Sequence, residues 1–311
     1  MFAARTLGGL AGIGSLLALA ACEPGVTEPL ATPGAEAPAL STTTTATPIF
    51  RDGFDTGARA AAQGGYRWTA AQAKSGDAVT VSREKARSGS YSLKFLFGAD
   101  RTCDDSWAEQ RFQLGEDLRE VWIEYYIYFP NGTEGLGAKY HHRQPMKKTS
   151  TGTCSTTPDV DTNNKFLALW DLDYRDKDVM VVYETRRSTA AAEGDSNLNG
   201  LWGTDTRAAG NYNQPGGRWN AAITDQLRGR WVQVRAYSRV ADSKSIANGV
   251  VRLWADGVLR IDMQNLDLAP TAGGNRFFRN GYILGWSNAG FNRNTAVYVD
   301  DVKIYRSSPG W

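Results

Sequence analysis

The chain of 311 residues holds only two histidines, and they are adjacent: His141 and His142 in "GAKYHHRQPMKK", residues 137–148. An imidazole titrates near neutral pH, so the pair offers proton transfer, metal ligation or a plain polar loop. Lys139, Tyr140, Arg143, Lys147 and Lys148 surround it, a basic cluster that would attract an anionic glycan. Two other thiols, Cys103 and Cys154, show no finger-like spacing with the histidines, so a zinc centre is not expected. Neither cysteine sits in a nucleophile pattern. In an oxidising compartment they would pair, and closing that loop of about fifty residues would stabilise the fold by roughly 4 kcal/mol in the chain-entropy model.

Groups able to hold a sugar are more plentiful. The sequence has ten Trp, thirteen Tyr and 33 Gly, a composition suited to an all-β protein with many turns and an aromatic binding surface. Alternation divides several segments into an apolar face and an aromatic, charged one. In residues 121–129 the odd positions are Val121, Ile123, Tyr125, Ile127 and Phe129; the even ones are Trp122, Glu124, Tyr126 and Tyr128. In residues 231–237, Val232, Val234 and Ala236 oppose Trp231, Gln233, Arg235 and Tyr237. Trp107, Glu109 and Arg111 oppose Ala108, Gln110 and Phe112. Aromatic rings stack on sugar faces, planar polar groups bond hydroxyls, and arginine pairs bidentately with carboxylates. If these segments neighbour one another in a curved sheet, their second faces form a groove for a polysaccharide, and the arginines suit an acidic one.

The elements that must position these residues read as strands. "VTVSREKARSGSYSLKFLF" predicts two strands about an "RSGS" turn, and "SWAEQRF", "REVWIEYYIYF", "NKFLALWDLDY" and "DVMVVYETR" each predict one. "GRWVQVRAYSRV" follows, then "GVVRLWADGVLRIDM", whose Asp256-Gly257 is a hairpin signal. "GYILGWS" and "TAVYVDDVKIYR" come last. About ten strands without an alternating helical pattern predict a β-sandwich.

The N-terminal region is different. After Arg5, "LGGLAGIGSLLALAA" is too short to span a bilayer comfortably and reads as a signal-peptide core, residues 1–21. "LALAAC" resembles the lipobox of bacterial lipoproteins, which implies lipidation at Cys22 and a protein exported to the periplasm or the cell surface, its only membrane link being that anchor. Residues 22–48, rich in Pro, Thr and Ala without aromatics, predict a flexible tether. The remaining residues 49–311 fit one large domain. A net charge of +2 gives no nucleic-acid footprint.

Taken in order, "FRDGFDTG", "RSGSYSLKF", "WAEQRF", "VWIEYYIYFPNG", "NNKFLALWD" and "YVDDVKIYR" resemble the concanavalin-like jelly-roll superfamily, in particular the polysaccharide-lyase-like proteins of heparin-lyase and alginate-lyase type. The resemblance implies a jelly-roll sandwich of two antiparallel sheets. No cofactor is implied, but many such folds hold a structural calcium between their first and last strands, for which Asp52, Asp55, Asp300 and Asp301 are the candidates. It also implies cleavage of a uronate polymer by β-elimination. That reaction needs a group to neutralise the carboxylate (Arg111, Gln233 or Arg235), a base (His141 or His142) and an acid (Tyr126, Tyr140, Tyr237 or Tyr212). Trp107, Glu109, Trp122, Glu124, Tyr128, Lys165, Trp231, Gln233 and Tyr237 would line the substrate. The sequence departs from the alginate-lyase pattern by having "NKFLALW" where Gln-Ile-His would fall; "RAAGNYNQ", residues 207–214, echoes its late tyrosine motif only in a loop. Two other classes stay open: a lectin-like surface protein without catalysis, and a glycosidase using Glu109, Glu124 or Glu184 as paired carboxylates.

Overall fold

The computed structural model describes residues 46–98, 106–129, 163–171, 179–186, 197–198, 218–219, 229–243, 245–266, 268, 277–287 and 294–311. All lie in the compact unit Thr43–Trp311. The signal segment, Cys22 and most of the tether lie outside the described residues. So do Cys103, Cys154, Tyr140, His141, His142 and Tyr212.

Sixteen strands and no helix form among the described residues: β1 (Phe50–Asp52), β2 (Arg67–Ala73), β3 (Ala78–Ser82), β4 (Ser92–Phe97), β5 (Ser106–Leu118), β6 (Glu120–Tyr128), β7 (Asn163–Trp170), β8 (Val179–Arg186), β9 (Asn197–Leu198), β10 (Arg218–Trp219), β11 (Trp231–Arg239), β12 (Gly249–Ala255), β13 (Val258–Leu266), β14 (Phe278–Ile283), β15 (Trp286–Ser287) and β16 (Thr295–Tyr305). They build the expected jelly-roll sandwich of two antiparallel sheets. The nine-stranded sheet runs β10-β13-β12-β11-β6-β16-β4-β3, with β1 also paired to β16. The seven-stranded sheet runs β14-β5-β15-β7-β8-β9, with β2 on β5 and β14 also bonded to β7.

The apolar faces read from alternation meet between the sheets. Val121, Ile123, Tyr125, Ile127, Val232, Val234 and Ala236 come from one side, and Ala108, Phe112, Leu167, Leu169, Val181 and Ile283 from the other; all are buried in one cluster. Each larger aliphatic side chain among them contributes about 2 kcal/mol of transfer free energy. Tyr183 also crosses the core, its hydroxyl 3.0 Å from the Tyr237 carbonyl and 2.8 Å from Ser238 Oγ. The Asp256-Gly257 turn forms as expected, with φ of 49° and 76°, the left-handed pair that a two-residue hairpin requires.

Four strands, β1, β2, β9 and β10, were not expected, and one expected strand is broken. In β2 only Trp68 and Thr69 are better than exposed, so it carries no alternation to read. "GYILGWS" is not one strand but two, broken at Leu284 and Gly285.

Candidate functional site

The candidate residues divide between two outer faces rather than meeting on one. β6 and β11 pair directly, from Trp231 opposite Tyr128 to Arg239 opposite Glu120, and so share the outer face of the nine-stranded sheet. β5 belongs to the other sheet. Trp107, Glu109 and Arg111 are therefore separated by the core from Tyr126 and Arg235, and the single groove expected from the three segments does not form. The physical reason is that alternation shows which residues share a strand face, while both outer faces of a sandwich carry the same pattern.

On the seven-stranded sheet, β14 and β15 fill the space between β5 and β7. Tyr282 stands opposite Arg111 on one side and Ala168 on the other; Asn280 stands opposite Gln113 and Trp170; Trp286 stands opposite Trp107. Neither β14 nor β15 was foreseen in this role, although "FRNGYILGW" carries the signal of an aromatic, glycine-interrupted strand. The break is local and costly. Leu284 is fully buried at φ 51°, a conformation that disfavours a bulky residue by about 1–2 kcal/mol. It is followed by Gly285, over which the Tyr282 ring lies: a Cβ there would come within 2.6 Å of that ring.

Polar groups on this face are held in pairs. Arg111 donates to Glu109 Oε1 through Nε and approaches the same oxygen through a terminal nitrogen, both at 2.6 Å, and its guanidinium lies 5.9 Å from the Trp170 ring. Trp170 and Tyr282 have ring centres 5.9 Å apart. Arg279 forks onto Asp117 at 2.5 and 2.8 Å and reaches the buried Asp171 at 2.6 Å. The hydrogen bonds from Arg279 hold the Asp117 carboxyl below its usual range, and Asp117 and Asp171 hold the guanidinium charged in return. Gln113 accepts from Arg67 at 2.8 Å. Lys165 lies on β7 opposite Glu184, with both side chains outside the description.

The nine-stranded face is ordered in rows. One row runs Arg51, Lys303, Glu124, Arg235, Trp254 across β1, β16, β6, β11 and β12. Glu124 is buried and accepts from Lys303 and Arg235, each at 2.8 Å, and from Gln233 at 3.1 Å. Burial alone would raise its carboxyl; the hydrogen bonds from Lys303 and Arg235 outweigh that and lower it. Gln233 also donates to the Tyr126 hydroxyl at 3.0 Å, and the Arg87 guanidinium covers the Tyr126 ring at 3.4 Å. Trp122 stacks on Tyr237 at 4.0 Å, whose hydroxyl donates to Glu120. Burial, then Glu120, push that phenol up to about 12. Trp231 packs edge-on to Tyr128 at 5.7 Å, and Lys85 lies 4.0 Å over the Tyr128 ring. Tyr126 and Tyr237 are thus engaged in bonds within the sheet face, and neither stands beside Arg111 as a catalytic set would need.

Three of the four candidate calcium ligands, Asp52, Asp55 and Asp301, line a pocket of about 420 Å³ together with Arg51, Gly53 and Lys303 among others, and Asp300 lies outside that lining. The donors around the four do not fit a cation cage. Asp52 accepts from the backbone of Phe54 and Ala60 and from the Trp68 indole. Asp300 accepts from the backbone of Arg87, Ser88 and Asp301, and Asp301 from Arg87 and the Ser88 hydroxyl. Asp55 lies against Gly53 and Gly89. No group of three or more metal-type side chains converges among the described residues. These aspartates clamp the turns at the junction of β1, β4 and β16.

No protein family and no curated protein matches the sequence. Solved structures similar to the chain include the cellulose-induced protein Cip1, with 14% identity over 83% of this chain and 98% of that one at a TM-score of 0.40. The endo-1,3-β-glucanase of Streptomyces sioyaensis matches with 12% identity over 87% and 98%, TM-score 0.43. The metal-free carbohydrate recognition domain of Emp46p matches with 12% identity over 77% and 88%, TM-score 0.41.

Proposed function

We propose that the chain binds a polysaccharide along the outer face of the seven-stranded sheet. The observation that carries this reading is the strand break at Leu284 and Gly285, which accepts backbone strain in the middle of a sheet to lay the Tyr282 ring beside Arg111 and Trp170. Strain of this kind persists where the surrounding structure holds a site in place. Trp107 supplies a partly exposed ring for stacking, backed by the buried rings of Trp170 and Tyr282, and the Arg111–Glu109 pair supplies planar groups that bond hydroxyls. Three arginines here, Arg67, Arg111 and Arg279, stand with three carboxylates, Glu109, Asp117 and Asp171, so the described face has no surplus positive charge and suits a neutral sugar. The reading places the protein outside the cytoplasm, tethered through Cys22.

A second reading is β-elimination on a uronate polymer. What favours it is Tyr282 directly opposite Arg111, since a phenol and a guanidinium side by side are two of the three groups the reaction needs. His141 or His142 would serve as the base.

Affinity electrophoresis against laminarin, cellulose derivatives, xylan, polygalacturonate and alginate, coupled to ultraviolet absorbance and reducing-end assays, tests both. Retardation without absorbance or new reducing ends supports the binding protein. Absorbance from unsaturated uronate supports the lyase, and reducing ends alone a hydrolase. Retardation by none of the polymers, or retardation unchanged in Arg111→Ala and Trp107→Ala, overturns the proposal.

A further inference from the structure

The outer face of the nine-stranded sheet is closed by a residue of the chain itself. Beyond β16 the chain folds back over the sheet, with Pro309 buried and Trp311 half-buried. The Trp311 indole meets Trp122 edge-on at 5.2 Å and Trp254 edge-on at 5.5 Å. The Arg235 guanidinium lies 4.8 Å over its ring. Trp311 therefore occupies a cage made of two tryptophans and an arginine.

Two observations mark the cage as built for something other than an indole. First, the indole nitrogens of both Trp122 and Trp311 are buried with no hydrogen-bond acceptor in reach among the described residues. Native contacts rarely leave buried donors in that condition, and a ring bearing hydroxyls would supply the missing acceptors. Second, the charges around the cage do not balance. Lys303 and Arg235 share the one carboxylate of Glu124. Arg235 gives only its Nε to Glu124, and its side chain is 24% exposed. The seven-stranded face has no such excess.

We propose that this cage is a binding site for an acidic sugar residue of a polysaccharide, and that Trp311 occupies it as an intramolecular competitor. A uronate ring takes the place of the indole against Trp122 and Trp254, and its carboxylate pairs with Arg235 and Lys303. The observed affinity is then reduced by the fraction of molecules in which Trp311 is docked. The site lies on the opposite sheet from Arg111 and Tyr282 and stands or falls independently of them.

Isothermal titration of the full chain with galacturonate oligomers, using cello-oligosaccharides as the neutral control, tests the proposal. Trp311→Ala is expected to tighten galacturonate binding about tenfold and to leave the neutral control unchanged. Adding Arg235→Gln or Trp122→Ala to that variant is expected to abolish the gain, whereas adding Arg111→Ala is expected to leave it intact. Trp311→Leu keeps apolar cover on the face and serves if the alanine variant melts early; it too is expected to tighten binding. No tightening in either Trp311 variant overturns the proposal, as does a gain that survives Arg235→Gln or disappears with Arg111→Ala.

Discussion

Gly285 lies so close under Tyr282 that a Cβ would sit 2.6 Å from the ring's Cε2 and 3.0 Å from its Cζ. The glycine is what allows a fully buried tyrosine to lie flat on its own strand next to Arg111. Gly285→Ala has no shallow way to relax, because backbone meets a ring held between β5 and β7. It is expected to lose about 2 kcal/mol of stability and to weaken glycan binding at the seven-stranded face. Chemical denaturation and affinity electrophoresis read the two effects. A variant with unchanged binding removes Tyr282 from the site.

Arg279 holds Asp117 through two parallel bonds and Asp171 through a third. Asp171 is 1% exposed, so its charge depends on that guanidinium. Lysine carries the charge but not the fork. Arg279→Lys is expected to destabilise the fold by about 2 kcal/mol, and Asp171→Asn in the same chain to restore part of the loss. A double-mutant cycle in urea measures the coupling; a coupling near zero contradicts the pairing.

Glu124 ties Lys303, Arg235 and Gln233 across three strands. Its carboxylate is almost fully buried, while Arg235 and Lys303 remain 24% and 38% exposed, so solvent screens part of the interaction. Glu124→Gln is expected to cost about 2 kcal/mol, less than the full penalty of breaking a buried pair. Its loss in the pH profile has a fixed sign. The folded carboxyl is lowered below 4.5, so its contribution is present above that pH and fades as pH falls. Melting curves of the variant are expected to approach those of wild type as pH falls below 4.5.

Asp300 works in the opposite direction. It is fully buried, and burial pushes its carboxyl up to about 6 despite the backbone N–H groups of Arg87, Asp301 and Ser88. Between 3.8 and about 6 the folded protein holds a proton that the unfolded chain has released. Stability from this group is therefore complete below pH 3.8 and declines as pH rises through about 6, by about 3 kcal/mol. Asp300→Asn is expected to flatten the profile in that window, measured by thermal melts from about pH 4 to about pH 8. An unchanged slope in the variant is evidence against the shift.

Much of the fold was legible because a two-residue repeat is a direct physical signal. Val121 through Phe129 and Val232 through Ala236 show their burial in their spacing, and Asp256-Gly257 shows its turn in its residue types. The pairing of β6 with β11 and the location of β5 in the other sheet were not legible, since no local pattern records which sheet a strand joins. That one fact moved Arg111 away from Arg235 and Tyr126. Tyr282 went unread for a related reason: its importance comes from two neighbours more than a hundred residues earlier, Arg111 and Ala168. The aspartates at 52 and 300 looked like cation ligands because sequence shows oxygen donors and not the N–H groups that already occupy them.

The pairing of β16 has a consequence for how the sandwich assembles. One edge of that strand takes β4 along residues 295–299 and β1 along residues 302–304, and its other edge takes β6. Every one of those partners is synthesised well before it, and Phe50 waits for Ile304. During translation β4, β6 and β1 each carry an unsatisfied backbone edge in what will be the middle of a sheet. Strand pairing of such long sequence separation is slow and leaves sticky intermediates. β16, made later than the other fifteen described strands, is thus the one that converts a set of loose hairpins into a closed sandwich, and a nascent chain halted before residue 295 is expected to need chaperone protection for as long as it is held.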